Sequence, residues 1–256
     1  MRIESAQNEK IKSLTRLLNK NQERKKQGVF FVEGRQENRR ALEYEYEPIE
    51  FFICEDYYHD ALPNSKINFV SPTIYEKIAY RGSSEGILGI YKVKENKLTD
   101  YKPTTNAAVI ALEGIEKPGN LGAILRSCEA FGIDALIISD PKVDLYNPNV
   151  IRSSVGCLFG LKVYTSTNDE LHIFLQENKF QILTTLMDQS SKPLSSKDLT
   201  KRSAILFGTE HSGLSPYWQN KGQNTLIPMT GTIDSLNLSN AVAISCYEIL
   251  RQKMQK

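Results

Sequence analysis

The chain has 256 residues, 40% hydrophobic and 24% charged, with a formal net charge of +2. That is ordinary globular usage and excludes the disordered, collagen-like and coiled-coil classes. The length exceeds a usual single domain of roughly 100 to 200 residues and predicts one compact domain plus a smaller one. The opening stretch lacks the continuous apolar segment of a signal peptide, and no later window reaches the roughly 18 apolar residues of a membrane span. A soluble, cytoplasmic protein with no membrane partner is therefore expected. Cys54, Cys128, Cys157 and Cys246 stand far apart with no CxxC or Cys/His ligand spacing, which predicts reduced cysteines in or near the core and neither zinc nor a disulfide framework.

The first 40 residues carry 11 Lys/Arg against 5 Asp/Glu, whereas positions 41–60 carry 7 acids and no Lys or Arg. Such a basic head can attract a phosphate backbone or be a solvated helix face. Within it Ile11, Leu14, Leu17 and Leu18 recur at helical spacing and predict an amphipathic helix over 4–26. A strand at 29–34, a polar helix through 39–46, strands at 49–54 and 67–70, a helix at 71–79 and a strand at 87–93 follow, a small α/β unit over 1–95. Residues 96–106 have a linker composition with little to bury. From 107 to 256 strands at 107–112, 135–139, 161–165, 181–186, 204–208 and 225–229 alternate with helices at 120–131, 148–159, 169–178 and 237–252. This is the rhythm of a parallel sheet.

Ligands of open parallel sheets bind beyond the carboxyl ends of the strands. Three segments there are unusual. The first, residues 113–132, turns through Pro118, Gly119, Asn120 and Gly122 into a helix bearing Arg126. Asn120 there is either an N-cap or a functional amide, and an Arg in an otherwise small, apolar helix calls for an anionic partner if buried. The second, residues 204–216, ends a buried-looking strand at Gly208 and continues through Glu210, His211, Gly213 and Ser215; its glycines permit close approach of a backbone to a ligand. The third, residues 225–250, leaves a strand at Met229 and enters a helix through Ser235, Leu236, Asn237, Ser239 and Asn240, polar residues that could also merely cap it.

Together these segments resemble the three motifs of the SpoU (TrmH-like) family of SPOUT-class methyltransferases: Asn-x-Gly-x-x-x-Arg at 120–126, Gly-x-Glu-x-x-Gly-Leu at 208–214, and Ile-Pro-Met with Ser-Leu-Asn-x-Ser within 227–239. The resemblance covers 107–256 and implies an α/β domain of parallel sheet with helices on both faces and a deep C-terminal trefoil knot, which pairs into a homodimer. It implies methylation of a ribose 2′-hydroxyl of structured RNA with S-adenosyl-L-methionine as cofactor and no metal. The RNA is expected to be large-subunit ribosomal RNA, the alternatives being transfer RNA, a catalytically silent RNA-binding protein of the same fold, or base methylation. Residues 1–95 more loosely resemble the family's RNA-binding substrate domain. By the same resemblance Arg126, Asn120, Glu210, Ser235 and Asn237 are the catalytic set, and Gly208, Ile227 and Leu236, with Thr184 and Leu186 as walls, hold the cofactor. Two departures stand out: Glu113 and Glu116 where an Asp is common, and His211 where a Gly is frequent. No Gly-x-Gly-x-x-Gly turn follows the first strand of the sheet, which disfavours a nicotinamide dinucleotide.

Overall fold

The computed structural model describes residues 2–63, 65–79, 85–186, 188–233 and 235–255; Asp234, inside the third motif, lies outside them. In chain order the first elements are β1 (Arg2–Ile3), α1 (Glu9–Asn19), α2 (Asn21–Gln27), β2 (Val29–Glu33), α3 (Arg35–Glu43), β3 (Pro48–Ile53), β4 (Lys66–Val70), α4 (Pro72–Ile78) and β5 (Ile87–Lys92). Then come β6 (Ala108–Glu113), α5 (Pro118–Ala130), β7 (Ala135–Ser139), α6 (Pro148–Ser153), α7 (Cys157–Gly160), β8 (Val163–Ser166) and α8 (Asn168–Glu177). The last are β9 (Gln181–Thr184), β10 (Lys192–Pro193), β11 (Ser203–Phe207), β12 (Gln223–Leu226) and α9 (Leu238–Met254).

Two compact units emerge, one of residues 1–95 with 144–160, the other of 96–143 with 161–256. The first holds a mixed sheet ordered β1-β4-β3-β5-β2, with β5 antiparallel to both neighbours. Ile11, Leu14, Leu17 and Leu18 are all buried against this sheet's Phe31, Phe52 and Leu88, as their spacing predicts. The single helix expected there is two, because Lys20 adopts an extended backbone (φ −122°, ψ 104°) that ends α1.

Three further readings of the sequence differ from the structure. Residues 144–160 join the first unit instead of continuing the second, held by Tyr146, whose ring stacks on Phe30 at 4.4 Å, and by Phe159, stacked on the same ring at 6.0 Å. The helix expected over 148–159 is broken by left-handed Val155 (φ 53°) and Gly156 (φ 74°). The supposed linker also buries side chains: Leu98 and Tyr101 enter the second unit's core, where Tyr101 stacks on Tyr164 at 5.3 Å and on Phe174 at 5.8 Å.

The second unit is a parallel sheet ordered β10-β12-β9-β11-β6-β7-β8. Val109, Ala111, Ala135, Ile137, Ala204 and Leu206 pack with Leu171, Phe174 and Leu175 of α8. The residues between them, Ile110, Leu136 and Ile205, point to the opposite face by the strand period of two and are fully buried as well. Both faces are thus covered, and α5 packs against α9. All four cysteines are free and buried; a hydrogen bond with Cys246 and burial hold the Cys128 thiol well above its ordinary pKa. Among the described residues no helix is long and apolar enough to cross a membrane, and no group of His, Cys, Asp and Glu is placed to hold a metal.

One residue of the basic head is structural. Arg24 is 5% exposed, donates to the Leu17 and Leu18 carbonyls at 2.8 and 3.2 Å, and pairs with Asp144 at 3.4 Å. It therefore ties the end of α1 to the 144–160 segment. Arg24→Ala removes the donor from the Asp144 Oδ2 and from two carbonyls and is expected to cost about 3 kcal/mol of stability, read from chemical denaturation. A loss below about 0.5 kcal/mol, the range of an ordinary surface substitution, would contradict this assignment.

Candidate active site

β6 lies between β7 and β11 with Glu113 opposite Ser139 and Leu112 opposite Phe207, so the three strands end at one level. Their loops surround a cleft of about 560 Å³ bordered by residues 113–117, 140, 142 and 209–216. This is the edge where open parallel sheets place ligands.

Asn120 sits in the first turn of α5, whose N-cap is Lys117, so the capping role open to Asn120 in the sequence is not the one it plays. Its amide instead donates to Glu210, and the Lys117 ammonium pairs with the other oxygen of the same carboxylate. The second motif is thereby tied to the first. Asn237 brings the third motif alongside, its amide nitrogen 3.5 Å from the Asn120 oxygen. Asn237 also caps α9, accepting from the Ser239 N–H at 2.9 Å and the Ser239 hydroxyl at 2.7 Å. Ser235 is exposed in the same loop.

Arg126 does not join this cluster. Six residues along a helix set it about 120° around and about 9 Å along the axis from Asn120. It is exposed, with no hydrogen bond or ion pair to a described residue, so the argument that a buried Arg demands an anion does not apply.

Gly208 is buried, and a Cβ there would stand 1.9–2.0 Å from Gly213 and the Leu214 nitrogen. The close approach its sequence suggested is made by its own loop, which closes through paired Thr209 and Gly213 backbone bonds of 3.0 Å. Thr184 is buried and donates to Asn224 at 2.8 Å; Leu186, Ile227 and Leu236 are half-buried. His211 is an exposed loop residue on the cleft. Sequence reasoning passed over the lysines: Lys142 pairs with Glu116 at 2.5 Å and holds its carboxyl below the usual range. It also passed over the contacts of Glu113, which accepts from Asn168 and Ser215. No local signal marks a pairing between positions 102 residues apart.

Residues 107–247 match the SpoU rRNA Methylase family model, and residues 8–89 match an MRM3-like substrate binding domain. The 23S rRNA (guanosine(2553)-2′-O)-methyltransferase RlmP of Bacillus subtilis is 25% identical over 96% of this chain and 98% of its own length. The 23S rRNA (uridine(2479)-2′-O)-methyltransferase of Streptomyces viridochromogenes is 33% identical over 54% of this chain, a match that spans half of that relative. Among solved structures, an RNA 2′-O ribose methyltransferase superposes with a TM-score of 0.85 at 33% identity, covering 99% of this chain and 100% of the other. The SpoU methyltransferase AviRb of Streptomyces viridochromogenes, in complex with AdoMet, shares the fold with a TM-score of 0.87 at 22% identity over 97% and 99% of the two chains. With more than half of its length matched by the family model, and with the three motifs meeting at one sheet edge, the chain belongs to the SpoU rRNA methylase family.

Proposed function

We propose that this chain transfers a methyl group from S-adenosyl-L-methionine to a ribose 2′-hydroxyl of structured RNA, above all large-subunit ribosomal RNA, in the cytoplasm. The observation that carries the reading is the Asn120–Glu210 bond, which joins two motifs far apart in sequence at the ligand-binding edge, with Asn237 of the third beside it. The choice of ribosomal RNA follows the Bacillus relative, matched along nearly its whole length. Residues 227–233 and 235–236 have no helix or strand and include half-buried Ile227 and Leu236, so the segment offers main-chain polar groups and apolar side chains of the kind an adenosine requires. Gly208, Ile227, Leu236, Thr184 and Leu186 would hold the cofactor, which when bound supplies a methyl group on a sulfonium. The knotted path belongs to the same reading: β11 inserted between β6 and β9, with β12 outside β9, is a strand order that such a crossing needs. Calorimetry is expected to show S-adenosyl-L-methionine binding without added metal and little affinity for NAD. Mapping of 2′-O-methyl sites in cellular RNA with and without the gene should reveal one lost site; an unchanged map would remove the reading.

The first unit is the candidate RNA-holding part. Arg2, Lys10, Lys12, Arg24 and Arg39 are paired with carboxylates. Arg16, Lys20, Lys25 and Lys26, around the junction of α1 and α2, are exposed and have no ion pair among the described residues. Free cations release counterions on meeting phosphate, so the triple substitution of Lys20, Lys25 and Lys26 by Ala is expected to weaken RNA binding and flatten its log–log salt slope by about 2 to 3. Cofactor affinity should stay unchanged. An unaltered slope would show that these lysines do not face the RNA.

The chain is further proposed to act as a homodimer paired through the second unit, with Arg126 serving the partner's site. Its support is the exposed Ile244 (43%) and Tyr247 (54%) of α9, the helix packed on α5, together with the separation of Arg126 from its own Asn120. A guanidinium stays protonated in proteins, so Arg126 is assigned to aligning the RNA phosphate and stabilising the developing alkoxide, not to removing a proton. Asn120 and Glu210 hold one another in place, and Ser235 and Asn237 supply further hydrogen bonds to the ligands. Arg126→Ala is expected to lower kcat by a factor on the order of 10² to 10³ with unchanged fold and pH profile, and Arg126→Lys to recover only part. Mixing Arg126→Ala with a Gly208→Ala chain should restore activity through mixed dimers. A monomeric mass in light scattering, or no restoration on mixing, would refute action across the dimer.

A further inference from the structure

The last residue of β6, Glu113, is 9% exposed, and both oxygens of its carboxylate are hydrogen-bonded. One oxygen accepts from the Asn168 amide at 2.6 Å and from the Ser215 hydroxyl at 2.6 Å; the other accepts from the Ser215 N–H at 2.7 Å. Asn168 is the first residue of α8 and Ser215 closes the second-motif loop. A single side chain thus fastens the start of the first-motif loop, the start of a helix and the end of the loop that carries Glu210. That loop is held at both ends. Gly208 and Gly213 lie in backbone contact at its base, and at its tip Glu210 takes the Asn120 amide and the Lys117 ammonium.

We infer that Glu113 is a positioning residue for methyl transfer: it sets the loop of residues 208–215 so that Glu210 meets Asn120. This rests on the proposed function of the site. A carboxylate is the group that fits. Ser215 presents two donors and Asn168 a third, and charge-assisted bonds in a place largely shut from water are short and directional. An amide at 113 offers one accepting oxygen and turns an NH₂ group toward a donor, leaving a buried N–H unpaired. An Asp, one methylene shorter, withdraws from at least one partner. A displacement of the order of 1 Å at reacting groups is enough to cost up to about 100-fold in rate.

The test uses the full-length chain. Glu113→Gln is expected to lower kcat on the order of 10- to 100-fold while the KM for S-adenosyl-L-methionine moves less than about threefold. Its effect should depend on Glu210: in a Glu210→Gln background the same change should cost less than about twofold, because the loop no longer carries the group it positions. Ser215→Ala, a milder break in the same contact, should give a smaller kcat loss and stands in if Glu113→Gln does not fold. Hydrogen exchange at the amides of residues 209–215 should quicken about tenfold or more in either variant, with α5 unaffected, whether or not an RNA substrate is in hand. Multiplying losses in the double variant, or unchanged exchange in the loop, would overturn the inference. So would a lowered melting temperature with kcat intact. A wild-type chain that methylates no RNA would instead remove the function proposed above, and loop exchange would still decide the role of Glu113.

Discussion

The constraint on which the rest depends is the parallel, in-register pairing of β6 with β7 on one side and β11 on the other. Every residue of β6 is buried, so the strand has no freedom to slip without turning its side chains to the wrong face. A one-residue slip would also carry Glu113 away from Ser215 and lift α5 relative to the loop of Glu210. The level at which three loops leave the sheet is therefore set by apolar packing far below them. The polar residues at the edge inherit it: Asn120 meets Glu210 across 90 positions of sequence and Glu113 meets Ser215 across 102, both within hydrogen-bond distance.

Much of this was legible in the residues. Apolar runs of four to six residues separated by helix-length segments read as a parallel sheet, and β7 appears at 135–139 as its composition indicated. The polar positions after three of the strands led to the family. What could not be read depended on contacts distant in sequence. Tyr101 looks like a linker residue until Tyr164 and Phe174 supply the faces it stacks on. Tyr146 and Phe159 read as part of the second domain because they lie between two of its strands, yet Phe30, more than 110 residues earlier, takes both rings. Arg24 counted as one more charge in a basic head, and only burial distinguishes it from Lys25 beside it.

The ambiguous polar residues divide in an instructive way. Asn120 and Asn237 both stand near helix starts, where a cap is the ordinary explanation. At Asn237 that explanation holds, since its oxygen receives the Ser239 N–H and hydroxyl. At Asn120 it does not: Lys117 occupies the cap position without a side-chain capping bond, and the Asn120 amide leaves the helix for Glu210. Sequence distance from a helix start cannot separate these cases, because a shift of the start by two or three residues exchanges them. The decisive observable is where the side-chain amide goes.

Arg126 carries the argument one step further. Its guanidinium is exposed and has no anionic partner within the described chain, while the other motif residues are already bonded to one another. An arginine kept free on a helix surface loses no interaction when a phosphate arrives, whereas Lys117 must first leave Glu210. On the proposed reading this separates two tasks: the sheet edge holds Asn120, Glu210 and Asn237 in a fixed polar frame, and a mobile, permanently charged group is brought to that frame from outside. Charge stabilisation would then become available only when RNA and a second subunit are both in place. Such an arrangement would confine methyl transfer to the assembled complex without a moving lid, because on that reading no single chain would present the complete set.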